Sequence, residues 1–313
     1  MPDAELGVVV QRIDPNGRIR VDVVHGSIQV NGVDGDECRV MARYPSRSDR
    51  SGQDPVADGV LRVHEVGGGL VISAERTRVA GGLSGRFGGG GAPAVDVTID
   101  APSRSTIAIT SVRADVTTRG MVHDQAVRTV TGDVTVSGVT GSIQVQSVSG
   151  RIGISGDVLS PNLSTTSGDV TVRADRLAWT RIDTVSGDVG LDGRLDASGE
   201  HRVNTINGDL AVTTQGGATI SMRGVSGAIR TEGPARREED GKGHRRVVVG
   251  DGRAQVAFQT VSGDLTLRTA ASGAAVPSSA SDDPSGLHAL LEALERGEID
   301  VEEASRRLEV THG

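Results

Sequence analysis

Six aspartates, Asp115, Asp133, Asp169, Asp188, Asp209 and Asp264, recur at equivalent places in this chain of 313 residues. Carboxylates repeated in this way, once stacked, offer the oxygen ligands that a hard cation such as Ca²⁺ takes. The competing role is structural, with each aspartate stabilising its own turn beside a glycine and pointing to water. The turn role fits better, because the extra glycines of calcium-binding nonapeptide repeats are missing. Arg151 and Ala228 interrupt the row and relieve repulsion that unbroken carboxylates would build up. No metal site and no cofactor are expected.

The other chemical groups are scattered. His25, His64, His123, His201, His244, His288 and His312 show no metal-ligand spacing, and they read as exposed side chains. Serines and threonines recur beside the glycines, but no histidine adjoins them in sequence, so hydrogen bonding explains them better than nucleophilic catalysis. Gly88-Gly89-Gly90-Gly91 is followed by no Lys-Ser/Thr pair and reads as a loop, not a phosphate cradle. Trp179 is a core or corner residue before it is a stacking platform for a ligand. Acidic and basic residues are plentiful without local clustering, so no catalytic residues are assigned. The enzyme alternative is a carbohydrate-active lyase or hydrolase working on an outer acidic face.

Composition narrows the partners. A formal charge of −8 argues against a phosphate backbone, and the basic pairs Arg236-Arg237 and Arg245-Arg246 sit near Glu238, Glu239 and Asp240. No nucleic-acid partner is expected. Cys38 is the only cysteine, which excludes an internal disulfide. Neither a basic segment with an apolar run after it at the start nor a stretch of about 18 apolar residues occurs, so the expected location is cytoplasmic, with peripheral or partner-mediated membrane contact. Aromatic residues are 1% of the chain while glycines number 44, so the core must be Val, Ile, Leu and Ala joined by tight turns.

Those turns repeat. Thr129-Val130-Thr131-Gly132-Asp133-Val134 is echoed around Gly150, at Gly168 with Asp169, Gly187 with Asp188, Gly208 with Asp209, around Gly227, and at Gly263 with Asp264. Successive glycines lie 18, 18, 19, 21, 19 and 36 residues apart, and Ala114-Asp115 marks a degenerate earlier copy. Apolar residues flank each turn and then alternate with polar ones, the signature of short strands. A unit of this size cannot bury its own apolar face, so copies must stack, with eight rungs spanning on the order of 35 Å. The expected fold is all-β, a parallel β-solenoid (β-helix) of 18–21 residues per coil. Residues 1–102 form an irregular β region or N-terminal cap and residues 103–270 the repeat solenoid. The long final gap holds either two regular rungs or one rung with an exposed hairpin; the charged run Arg236 to Arg246 favours the hairpin.

Residues 271–286 are rich in Ala, Ser, Gly, Pro and Asp and read as a flexible linker. Leu287, Leu290, Leu291 and Leu294 then fall at helical spacing before Gly297, and after Ile299 a second helix opens at Asp300 with Glu303 completing a capping box. Val301, Ala304 and Leu308 share one side of it. Residues 287–311 thus read as a helical hairpin, short enough to need a docking surface or a second copy.

The Thr-Val-Ser-Gly-Asp-Val repeat, Val97-Thr98-Ile99-Asp100-Ala101-Pro102 leading into it and His25-Gly26-Ser27-Ile28-Gln29-Val30 near the start resemble a bacterial β-strand-repeat family of unknown function, labelled putative adhesin and including YvlB-like proteins. The resemblance covers most of residues 8–270. Leu291 to Ala304 resembles the short helical module that accompanies this domain in YvlB-like and envelope-stress proteins. The resemblance implies a β-helical fold and a role in cell-envelope stress or surface interaction, with no catalytic residues to carry over. The expected function is a non-enzymatic scaffold that binds a protein or an envelope-associated ligand through a solenoid face and docks or oligomerises through its hairpin. A self-assembling filament is a third possibility, since solenoid ends pair edge to edge unless capped.

Overall fold

A computed structural model describes residues 7–46, 48, 52–74, 93–239 and 244–269. The helical hairpin and linker expected at the C-terminus, and Gly88 to Gly91, lie outside these residues. The described chain is all-β. Its strands are β1 (Val8–Arg12), β2 (Arg18–Val33), β3 (Glu37–Arg43), β4 (Leu61–Val66), β5 (Gly69–Ala74), β6 (Val95–Pro102), β7 (Thr106–Arg119), β8 (Gln125–Arg128), β9 (Val134–Gln146), β10 (Ile152–Ser167), β11 (Val170–Leu177), β12 (Thr180–Ser186), β13 (Val189–Leu195), β14 (Glu200–Asn204), β15 (Leu210–Thr214), β16 (Ala218–Ser226), β17 (Ile229–Glu232), β18 (Ala235–Glu239), β19 (His244–Val249), β20 (Ala254–Ser262) and β21 (Leu265–Thr269).

Pairing between successive repeats is parallel and in register, which makes the stack solenoid-like. Val116 pairs with Val134, Val134 with Ile152, Ile152 with Val170 and Val170 with Val189. Opposite them run Ile109, Val127, Val145, Leu163, Ile182, Val203 and Phe258. Two sheets therefore face each other across columns of aliphatic side chains, nearly all of them withdrawn from water. Strands such as β9 and β10 bend from one sheet into the other, so a single segment supplies both layers of a rung.

The order of the rungs departs from the order of the sequence near the C-terminal end. β20 pairs in parallel with β14 on one side and β16 on the other, while β21 lies between β15 and β17. The last copy is thus inserted between the two before it. The 36-residue gap therefore does not hold two regular rungs in sequence order: it opens at the corner of the rung formed by β16 and β17, and that rung is placed one level further out. The charged run does form a hairpin, β18 with β19, but it lies along the end of the stack, because β19 pairs antiparallel with β16.

The N-terminal end uses the same device. β2 is held between β7 on one side and β5 with β6 on the other. Antiparallel β4 and then β3 and β1 complete that end. β18 is the outer strand at the opposite end and carries Arg236, Arg237 and Glu238, charges that make an edge a poor template for a further strand.

One core column contains a histidine. His201 is 1% exposed, contrary to the expectation that the histidines face water. Its Nδ1 lies 3.2 Å from Thr180 Oγ1 and its Nε2 3.1 Å from the Asp196 carbonyl oxygen, so the neutral ring is fully partnered. Burial holds its pKa below the ordinary histidine value, against the weaker pull of the Asp196 carbonyl and carboxylate. The unfolded chain therefore takes up a proton near pH 6.5 that the folded chain refuses, and stability must fall as pH drops below that value. Denaturant titrations between pH 7.5 and 5.5 should show this fall, with a slope of at most about 1.4 kcal/mol per pH unit from this one group, and His201→Gln should flatten it.

Candidate functional site

The repeated corner can be taken residue by residue. Its first position is a buried hydroxyl: Ser111, Thr129, Ser147, Thr165, Thr184, Thr205 and Thr260 are all under 9% exposed. Thr129, Ser147, Thr165 and Thr184 donate to the carbonyl two residues on, at 3.3–3.4 Å. The hydroxyl thereby supplies the donor that the bend takes from the strand ladder. All seven oxygens are enclosed and all but Thr205 Oγ1 are bonded, which explains their recurrence without any nucleophilic role.

The glycine comes next but two. Gly150 has φ +128° and Gly187 φ +134°, values that side chains resist. A Cβ on Gly150 would collide with the carbonyl oxygen of Gly132, and one on Gly187 with that of Gly168. The same backbone approach recurs at Gly168, Gly227 and Gly132, where the neighbouring oxygens belong to Gly150, Gly263 and Ala114. Gly208 and Gly263 lie equally close to Gly187 and Gly208. Gly26 holds this position in β2, pairing with Ala114. That rung escaped the reading of the repeat because Ser27 stands where aspartate stands elsewhere.

Each aspartate then serves the following rung. Asp115 Oδ1 accepts the Asp133 amide at 2.9 Å, Asp133 that of Arg151 at 2.8 Å, Asp169 that of Asp188 at 3.0 Å and Asp188 that of Asp209 at 2.9 Å. The inserted rung keeps the chain of bonds intact, since Asp209 accepts from Asp264 and Asp264 from Ala228, both at 2.7 Å. The row is a hydrogen-bonded stair linking rungs, where sequence reading gave each carboxylate only its own turn. The Ala228 amide, aided by Arg230, holds the Asp264 carboxyl below the usual carboxylate range. Among the described residues no group of three or more His, Cys, Asp or Glu could hold a metal ion.

One position of the corner remains, between the buried hydroxyl and the residue before glycine. Val112, Val130, Val148, Val185, Ile206 and Val261 are 41–50% exposed, and Val225 on the outermost repeat rung is 84% exposed. Their carbonyls are used, as in Ser149 N–H to Val130 at 2.9 Å and Ser262 N–H to Ile206 at 2.9 Å, but their side chains face water. The bridges Thr131–Ser149, Ser149–Ser167, Asn207–Ser262 and Ser226–Ser262 keep adjacent corners in register. A strip results in the order Val112, Val130, Val148, Thr166, Val185, Ile206, Val261, Val225. Eight rungs at the usual strand spacing make it about 34 Å long. The sequence shows these residues as apolar partners of the turn without showing that they point outward.

The remaining candidates offer less. Trp179 is half-buried and lines an open cavity of about 360 Å³ with Asn162, Thr180, Arg181, Glu200 and Arg202. Arg181 is already paired with Asp183 at 3.1 Å, and Arg202 with Glu200 at 2.6 Å. Cys38 is a buried residue of β3, where burial and the Asp100 carboxylate push its thiol up to about 12 and leave it protonated.

These features coincide with a known pattern of repeats. Residues 91–230 match the Toastrack family, DUF4097. The matched segment holds the corners from Ala114 to Gly227, which supports the β-repeat reading. Solved structures resembling this chain include a putative adhesin from Bacteroides fragilis, 12% identical over 86% of this chain and 99% of that one, with a TM-score of 0.45. A putative lipid binding protein from Parabacteroides distasonis is 11% identical over 84% and 97%, with a TM-score of 0.38. A putative adhesin from Parabacteroides merdae is 10% identical over 86% and 97%, with a TM-score of 0.25. No curated protein matches the chain. No described helix is long and apolar enough to cross a membrane.

Replacing Asp188 by Ala should cost about 1 kcal/mol in urea denaturation, because the Asp209 amide loses its acceptor. Asp188→Asn keeps an oxygen in that place and should cost less than half as much; equal losses would show that charge, not the bond, is what matters there.

Proposed function

We propose that the chain is a non-enzymatic binding protein whose corner strip takes a protein or envelope-associated ligand. The observation that carries this reading is the exposed aliphatic column, the apolar position of the corner whose side chains face water. The glycines, the aspartates and all the corner hydroxyls but that of Thr205 meet a partner in the fold. An exposed row of Val and Ile repeated over seven rungs is costly for a soluble surface unless something covers it. The bonded hydroxyls and carboxylates support binding over catalysis, because the groups that would do chemistry are held by backbone. The resemblance to envelope-stress and surface-interaction proteins extends the proposal to that role. It acts from the cytoplasm, with membrane contact through a partner, and residues 287–311 serve as its docking or oligomerising element.

The test is a substitution set on the strip, Val130→Thr, Val148→Thr, Val185→Thr and Ile206→Thr together. These side chains are exposed and threonine keeps the β-branch, so stability should change by less than about 0.5 kcal/mol per site. In co-sedimentation of the purified full chain with a bacterial envelope fraction, the unaltered protein should pellet and the variant should stay in solution at least tenfold more. Equal partition of the two would contradict the reading.

A further inference from the structure

The corner carries two parallel columns, and the second says what kind of partner fits the first. Three residues after five of the seven exposed aliphatics comes a carboxylate of the stair, so an apolar row broken by Thr166 and an acidic row broken by Arg151 and Ala228 run side by side along the corner. Each carboxylate gives one oxygen to the next rung. The second oxygen of Asp115, Asp133, Asp169, Asp188 and Asp209 takes no hydrogen bond or ion pair among the described residues. Only Asp264 has its outer oxygen engaged, by Arg230 at 2.6 Å. One cation, Arg151, stands within the row itself.

We infer that the strip binds an amphipathic cationic segment of a partner protein, with a row of aliphatic side chains against Val130, Val148, Val185 and Ile206 and Lys or Arg against Asp133, Asp169, Asp188 and Asp209. This rests on the reading of the strip as a binding surface and names its partner. Charge complementarity selects this occupant. A phosphate backbone or an anionic bilayer would meet the free carboxylate oxygens with like charge, and a second copy would bring its own carboxylates to the strip. Length agrees as well: about 20 residues of helix extend about 30 Å, close to the strip's length. Adjacent rungs are about 4.8 Å apart, near the 5.4 Å rise of one helical turn, so one side chain per turn can follow one rung over several levels. An extended segment serves equally well, since its alternate residues share a face.

The probe is a synthetic peptide of about 20 residues with one leucine face bordered by lysines, compared with a glutamate-for-lysine version and a scrambled version of the same composition. Binding to the full chain is read by calorimetry in low and moderate salt. The unaltered protein should bind the lysine peptide, more weakly as salt rises, and neither control. The Thr variant of the strip should bind at least tenfold more weakly. So should Asp133→Asn, Asp169→Asn, Asp188→Asn and Asp209→Asn together, which retain the stair oxygens while removing charge. Circular dichroism melts of both variants establish that each is folded.

Absence of lysine-peptide binding overturns the inference, as does binding unchanged in either variant or matched by the scrambled peptide. Binding of the glutamate peptide, or of vesicles of phosphatidylglycerol and phosphatidylethanolamine, that is lost in the Thr variant would also overturn it. So would self-association of the unaltered chain that the Thr variant lacks. In these last cases the strip would still be a binding surface and only the partner's chemistry would be wrong. If the envelope sedimentation also ignores the Thr substitutions, both readings fail together.

Discussion

Everything in this fold follows from how closely one corner of backbone sits on the next. The carbonyl oxygen of one glycine occupies the space that a Cβ on the glycine above would need, so the approach is available only to this residue. That contact fixes the register of each rung, and register in a β-sheet decides which side chains face inward. The aliphatic columns, the buried hydroxyls and the carboxylate stair are all consequences of aligned corners. Position 114 is a partial exception: Ala114 stands in the column where the neighbouring rung contributes Gly132, and the collision there falls on the glycine side.

The ends obey a second constraint. A stack of parallel strands leaves open ladders at both limits, which invite another chain to add on. Here antiparallel strands complete one end, β3 with β1 and β4, and at the other β19 with β18 cover β16, while β17 keeps β21 as its one partner among the described strands. Making this possible requires the chain to overshoot, lay down the outer rung and its hairpin, and return to fill the gap. The inserted rung keeps both surface rows continuous, because Val261 falls between Ile206 and Val225, and Asp264 between Asp209 and Ala228. The charged edge on β18 is also poorly suited to end-to-end growth into filaments.

Much of this was legible in the residues. Alternation around Gly132, Gly168 and Gly187 gave strands, and the near-constant spacing gave stacked coils, because both depend on local chemistry that each copy repeats. The order of the last rungs was not legible, since the copies at Gly227 and Gly263 read alike and nothing local records which neighbour each will meet. Gly26 was hidden by the loss of the adjoining aspartate to Ser27. His201 looked exposed because its burial depends on Thr180 one rung below and on the Asp196 carbonyl. The outward direction of Val130 and its equivalents was hidden for a different reason. The bend reverses the in-and-out alternation, so an apolar residue beside the turn belongs to the core on one side of it and to the surface on the other.

The account stands on the strip being continuous across the inserted rung. Paired cysteines on its exposed positions test this most directly. Neighbouring parallel strands place equivalent Cα atoms about 4.8 Å apart, within disulfide reach, whereas two rungs give about 10 Å, which is beyond it. In a chain with Cys38→Ala, mild oxidation should therefore cross-link Ile206→Cys with Val261→Cys and leave Ile206→Cys with Val225→Cys open. Ready closure of the second pair and not the first would mean that the copies stack in sequence order, and that the surface described here does not exist in this form.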